Sequence, residues 1–105
     1  MKSMANTKVT IKVVAQAKEL YIVGSSKNLG EWDSEKAVKL EYCEKCNAFY
    51  TNKMFPVGST VEFKVLADKT WARVEKGIWC EEIENHSFVA EKGLEVFVEV
   101  HNFQE

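Results

Sequence analysis

Three tryptophans carry the chemistry open to this chain, and Trp32 among them sits in polar company. Trp32 ends the run Gly24-Ser25-Ser26-Lys27-Asn28-Leu29-Gly30-Glu31 and is followed by Asp33 and Ser34. Trp71 and Trp79 lie in a stretch to Glu84 that has no clean period and one glycine, Gly77. A tryptophan so placed has little core to join: it either folds back as a lid or offers its plane to a flat ligand. A sugar ring is such a ligand, with an apolar face of C–H groups and an edge of hydroxyls. Its site asks for aromatic planes and a few polar groups that fix orientation. Rigid rings lose little entropy on binding, which suits an open groove and a flexible saccharide. Trp32, Lys64, Trp79 and Asn85 supply that combination. Against it, Lys64 could lay its stem on apolar surface, and Trp79 could be core.

Other chemistries find less support. His86 and His101 read as strand residues outside any triad or zinc-ligand spacing. Glu81, Glu82 and Glu84 cluster in sequence, but the adjacent pair would diverge, and the cluster reads as a solvated face. There is no phosphate-cradling glycine loop, so catalysis is not expected. Three cysteines are an odd number, against a complete disulfide framework. Cys43 and Cys46 form a C-x-x-C pair that raises zinc or thiol redox chemistry. Structural zinc wants four ligands, and a redox pair normally opens a helix in a βαβ unit. Unpaired thiols in a reducing compartment, with no metal or cofactor, are expected instead.

A chain of 105 residues makes one domain with one core, taken as residues 1–105 with the core about 7–103. The net charge of −2, with lysines interspersed among glutamates, leaves no basic footprint for nucleic acid. Apolar runs last only a few residues, too short to span a membrane. Met1 to Lys8 lacks an apolar leader, so the expectation is a cytoplasmic protein or a piece trimmed from a secreted parent.

The elements that must hold these residues read as strands. Val9, Ile11 and Val13 alternate with lysines and a threonine, the period of a half-buried strand. Leu20 to Val23 suits a central strand. Ala37 to Tyr42 and Ala48 to Met54 flank a polar hairpin loop, Cys43 to Asn47. Pro56-Val57-Gly58-Ser59 punctuates the chain before Thr60 to Leu66, and Leu94 to Val100 alternates again. Asp33 to Lys36 can form one helical turn, since Asp33 and Ser34 are cap-type residues. Trp71 to Glu84 reads as a loop or irregular strand. The whole predicts an all-β, antiparallel sandwich of the immunoglobulin type with about seven or eight strands.

Three motifs occur in order along nearly the whole chain. Val23-Gly24-Ser25 leads to Leu29-Gly30-Glu31-Trp32, a strand reads Val61-Glu62-Phe63-Lys64, and Trp79 precedes Asn85-His86-Ser87-Phe88. Together they resemble the starch-binding domains, the family 20 carbohydrate-binding modules. The resemblance implies a non-catalytic sandwich that binds α-1,4-glucans such as starch, glycogen or maltooligosaccharides. Such a module stands alone or belongs to a larger amylolytic or glycogen-associated protein. It also implies roles: Trp32 and Trp79 stack on neighbouring glucose units, and Lys64 and Asn85 hydrogen-bond hydroxyls. Trp79 stands one residue further from Asn85 than the commonest family spacing, and Cys80 precedes Glu81. Trp71 therefore remains an alternative partner for Trp32. A second family site uses tyrosines on two other loops. Here Gln16-Ala17-Lys18 offers none, and Tyr42 is an approximate match. The competing function on the same fold is a protein-interaction domain that presents its aromatics to a partner.

Overall fold

The computed structural model describes residues 5–104, so the reading of the first four residues, Met1–Met4, lies outside it. Among these residues there are ten strands: β1 (Asn6–Val14), β2 (Tyr21–Gly24), β3 (Val38–Lys39), β4 (Glu41–Cys43), β5 (Ala48–Pro56), β6 (Thr60–Leu66), β7 (Glu75–Lys76), β8 (His86–Val89), β9 (Glu95–Glu99) and β10 (Asn102–Phe103). One sheet has the order β4-β5-β1-β9 and the other β3-β2-β6-β8, with β7 and β10 as a small separate pair. No α-helix occurs among the described residues, and three single 3-10 turns punctuate the loops. Correspondingly, no helix there is long and apolar enough to cross a membrane.

The alternation seen in sequence sets which side chains meet. Val9, Ile11 and Val13 of β1 point inward against Ile22, Val61, Phe63 and Val65 of the facing sheet, with Phe49, Phe55, Phe88 and Val98 closing the core. The opposite residues of β2 and β6, Tyr21, Val23 and Leu66, form a second buried cluster with Ala37. Trp32 and Val74 pack against that cluster. It lies on the outside of the β3-β2-β6-β8 sheet, where the loops cross.

Three expectations are corrected. Ala37 to Tyr42 is not one strand, because the chain changes sheets at Leu40. Val38–Lys39 pairs with β2, whereas Glu41–Cys43 pairs with β5. Leu40 is buried at the crossing and donates its amide to the Leu20 carbonyl at 2.9 Å. That break, with the short pair β7 and β10, brings the strand count to ten. Nor is every pair antiparallel: β9 runs parallel to β1, from Thr10↔Glu95 to Val14↔Glu99. A parallel pair needs a long crossover, and here the other sheet supplies it before β9 enters beside β1. Finally, His101 lies between β9 and β10 and is not a strand residue.

Candidate functional site

The loop from Gly24 to Ala37 is tied tightly to the sheet below it. A Cβ at Gly24 would lie 2.3 Å from the Glu62 carbonyl oxygen, so only glycine lets the two backbones approach. Ser25 donates its amide to that carbonyl at 2.9 Å, and its hydroxyl accepts the Glu62 amide at 3.1 Å. The chain then makes three successive left-handed residues: Gly30 (φ 87°), Glu31 (φ 50°) and Trp32 (φ 68°). A bulky residue rarely takes that conformation, at a cost on the order of 1–3 kcal/mol, and persists there only when its surroundings hold it. Here Trp32 donates its amide to the Gly24 carbonyl at 2.9 Å, and Leu29 is fully buried beneath the turn. Asp33 caps the following 3-10 turn, Ser34–Lys36, by accepting the Glu35 amide at 3.0 Å.

Trp71 meets Trp32 across the loops. It opens a 3-10 turn, Trp71–Arg73, capped by Thr70, whose hydroxyl accepts the Ala72 amide at 3.2 Å. The two indoles lie with centroids 6.2 Å apart and planes tilted by 33°. Trp71 Nε1 donates to the Trp32 carbonyl at 3.3 Å. Trp32 is half-buried, one side committed to the Tyr21–Val23–Leu66 cluster, so it is partly a lid. Trp71 is exposed.

Trp79 stands apart from that pair. It is 85% exposed and pairs with no aromatic ring among the described residues. Its turn is nonetheless fixed. Gly77 donates its amide to the Glu81 carbonyl at 2.9 Å, Cys80 donates to the Gly77 carbonyl at 2.9 Å, and the Trp79 amide donates to Glu81 Oε1 at 2.8 Å. Cys80 takes a left-handed φ of 62°. From β10, Asn102 Nδ2 donates to the carbonyls of Gly77 and Ile78, at 2.8 and 3.1 Å. The loop then passes over β6, where Lys64 Nζ donates to the Ile83 carbonyl. Asn85 Nδ2 donates to Glu62 Oε1 at 3.2 Å. Lys64 and Asn85 thus fasten the loop that carries Trp79. Asn102 carried no signal in sequence, being an isolated asparagine near the end of the chain.

Under the same loops, Glu75 is buried and shares its carboxylate between His86 Nε2, at 2.8 and 2.9 Å, and the Val65 amide, at 2.7 Å. The β8 ladder ends at His86, so the carboxylate accepts the next amide of β6 that β8 leaves free.

The family model for the starch binding domain matches residues 6–98. The chain belongs to that family. Solved structures similar to it share the fold. The family 20 module of a maltotetraose-forming amylase from Pseudomonas saccharophila STB07 aligns with a TM-score of 0.67 and 23% identity, over 89% of this chain and 99% of that one. Glucoamylase from Hypocrea jecorina aligns at 0.67 and 17% identity, over 98% of this chain and 18% of that one. Hormoconis resinae glucoamylase aligns at 0.69 and 14% identity, over 97% and 18%. The domain therefore spans less than a fifth of those two glucoamylase chains. No curated protein sequence matches it. Like its family, the domain is a non-catalytic starch-binding module rather than an enzyme.

Elsewhere on this starch-binding domain, Tyr42 packs edge-on against Phe49 and donates its hydroxyl to Asn47 Oδ1 at 2.9 Å. It lines an open hollow of about 590 Å³ with Gln16, Ala17 and Lys18, the segment that lacks the family's tyrosine. Tyr21 donates its hydroxyl to Glu19, and that bond, with burial, pushes its pKa up to about 12. Glu41 beside Tyr50 raises that phenol as well. Cys43, Cys46 and Cys80 are unpaired thiols. The Cys46 thiol and amide hold Cys43 below the usual thiol range, while Cys43 pushes Cys46 up. Among the described residues no group of three or more His, Cys, Asp or Glu could hold a metal ion.

Proposed function

We propose that the domain holds an α-1,4-glucan along the loop surface of its β3-β2-β6-β8 sheet. In this reading Trp32 and Trp71 form one bent platform and Trp79 a second, separate plane. The observation that carries the reading is Trp79: an indole 85% exposed on a turn fixed by backbone, Glu81 and Asn102 hydrogen bonds. Ordering a large apolar ring in water without a core to join makes sense as a waiting face for a ligand. The 33° tilt between Trp32 and Trp71 suits a chain whose successive rings turn relative to one another, as α-1,4 linkage requires. Lys64 and Asn85, which fasten the loop that carries Trp79, supply hydrogen bonds to hydroxyls by exchanging their present partners, Ile83 and Glu62. Starch, glycogen and maltooligosaccharides all offer this ligand, and the domain serves either alone or as part of a larger amylolytic or glycogen-associated protein.

The groove is open, and ordering a flexible glucan costs entropy. Net affinity is therefore modest, about 10 μM to 1 mM, or roughly −7 to −4 kcal/mol. Tryptophan fluorescence titrated with maltoheptaose and with cellohexaose tests the proposal. Quenching by the α-linked chain and little change with the straight β-linked chain is the expected result. Equal affinity for both would leave stacking without linkage selectivity and end the α-glucan reading.

A further inference from the structure

Opposite in character to the glucan loops is the hairpin between β4 and β5. Cys43 closes β4 against Ala48, and the chain turns through Glu44, Lys45, Cys46 and Asn47. Asn47 takes a left-handed φ of 56°, which brings the turn back tightly. The turn is wrapped around a sulfur atom. The Cys46 amide donates to Cys43 Sγ at 3.2 Å. Both sulfurs border one hollow of about 260 Å³, whose other walls are Lys12, Tyr42, Ala48 and Tyr50.

Two sulfurs that border one hollow on the same short turn can chelate a soft cation. The number of donors then chooses the cation. No third His, Cys, Asp or Glu joins these two among the described residues, so one chain cannot complete the four-coordinate set that zinc prefers. Soft thiolates favour Cu(I) and zinc among the first-row ions, and of the two only the d10 monovalent ion is satisfied by two ligands. We propose that Cys43 and Cys46 form a two-thiolate site for a soft monovalent cation, Cu(I) in particular, within a single copy of this chain. On binding, each thiol releases its proton to water and each sulfur donates an electron pair to the metal. No electron is transferred. One Cu⁺ and two thiolates leave a net charge of −1, and Lys12 on the hollow's wall offsets it. Lys12 also pairs with Glu95 Oε1 at 3.3 Å, which fixes where its ammonium sits.

The test is an anaerobic titration of the reduced protein with Cu(I) against a chromophoric Cu(I) chelator. One Cu(I) per chain is expected, with a two-sulfur shell by X-ray absorption. Cys43→Ser and Cys46→Ser should each abolish chelator-competing uptake, and Cys80→Ser should leave it unchanged. Lys12→Glu should weaken binding about threefold to tenfold through the reversed charge, whereas Lys18→Glu should not. Cys43 ends β4 and Cys46 lies on the exposed turn that follows, and far-UV circular dichroism of each variant checks that it is folded. Uptake retained by Cys43→Ser or lost by Cys80→Ser overturns the assignment. One metal per two chains, with four sulfurs around it, overturns the single-chain site in favour of a bridged dimer. Failure to compete with the chelator at all overturns it outright.

Discussion

Glu75 and His86 are joined by both carboxylate oxygens, and the carboxylate is almost wholly shut off from water. The pair ties β7, at the root of the Trp79 turn, to β8, just after Asn85. His86 in turn lies against Phe63 of the core, with ring centroids 5.2 Å apart. The loop that displays Trp79 is thus anchored at both ends by a buried polar contact, in addition to the bonds from Lys64, Asn85 and Asn102. Trp79's exposure does not imply a loose loop.

Removing half of that contact should be costly. Glu75→Ala leaves the Val65 amide and the His86 ring nitrogen without their partner in a dry site. A loss of about 3 kcal/mol is expected, in the range for breaking a buried pair. Glu75→Gln keeps an acceptor for the Val65 amide and should lose less. Urea unfolding followed by circular dichroism decides it, and a change under 1 kcal/mol for Glu75→Ala would mean that water enters the site freely.

The three tryptophans should separate binding from stability. Trp79→Ala removes a ring that touches little of the fold, so binding to maltoheptaose should fall about thirtyfold, roughly 2 kcal/mol, with the melting temperature unchanged. Trp32→Ala should lower both, because one face of Trp32 covers the Tyr21, Val23 and Leu66 cluster. Trp71→Ala should fall between them. Isothermal titration with parallel thermal melts reads both quantities. Normal glucan binding by all three variants would remove the platform from the mechanism.

Much of this was legible in sequence where a single physical rule governed the outcome. The β1 and β9 alternations placed the inward faces, and Asp33 announced the turn it caps. The hairpin at Cys43 to Asn47 followed from its polar composition between two apolar runs. The sheet change at Leu40 was not legible, because Ala37 to Tyr42 alternates smoothly and only tertiary pairing breaks it. Nor was the meeting of Trp32 with Trp71, which arises from left-handed backbone at Glu31 and Trp32 that residue type does not suggest. Family spacing pointed to Trp79 and left Trp71 as an alternative; contact geometry puts Trp71 beside Trp32. Glu75 gave no warning either, since a glutamate in a lysine- and arginine-flanked stretch reads as surface.

Gly24 offers a test of how closely the Trp32 loop must sit on β6. An added methyl would meet the Glu62 carbonyl at 2.3 Å and Leu29 Cδ1 at 2.9 Å. Backbone cannot step aside as a flexible side chain can, so Gly24→Ala should destabilise by about 1–3 kcal/mol. It should also displace Trp32 and weaken glucan binding, whereas Gly58→Ala meets nothing within 4 Å and strains only its own left-handed φ. Gly24→Ala binding and melting like the parent would show that the loop can lift without consequence.

Tyr21 supplies a pH dependence of definite sign. Its hydroxyl donates to Glu19, and its pKa is raised from 10.0 to about 12 in the folded state. The folded protein therefore holds that proton more tightly than the unfolded chain. The stabilisation is fully present below pH 10 and is lost as pH climbs from 10 through about 12. Tyr21→Phe removes the bond at every pH, so at pH 8 the variant should be less stable by about 1 kcal/mol. Above pH 10 the parent loses this advantage and the two stabilities should converge, since phenylalanine has no proton to lose. Urea unfolding at pH 8, 10 and 11 measures the gap, and absorbance at 295 nm follows the phenol directly. A gap that stays constant or widens above pH 10 would show that the Tyr21–Glu19 bond does not hold the proton in the folded protein.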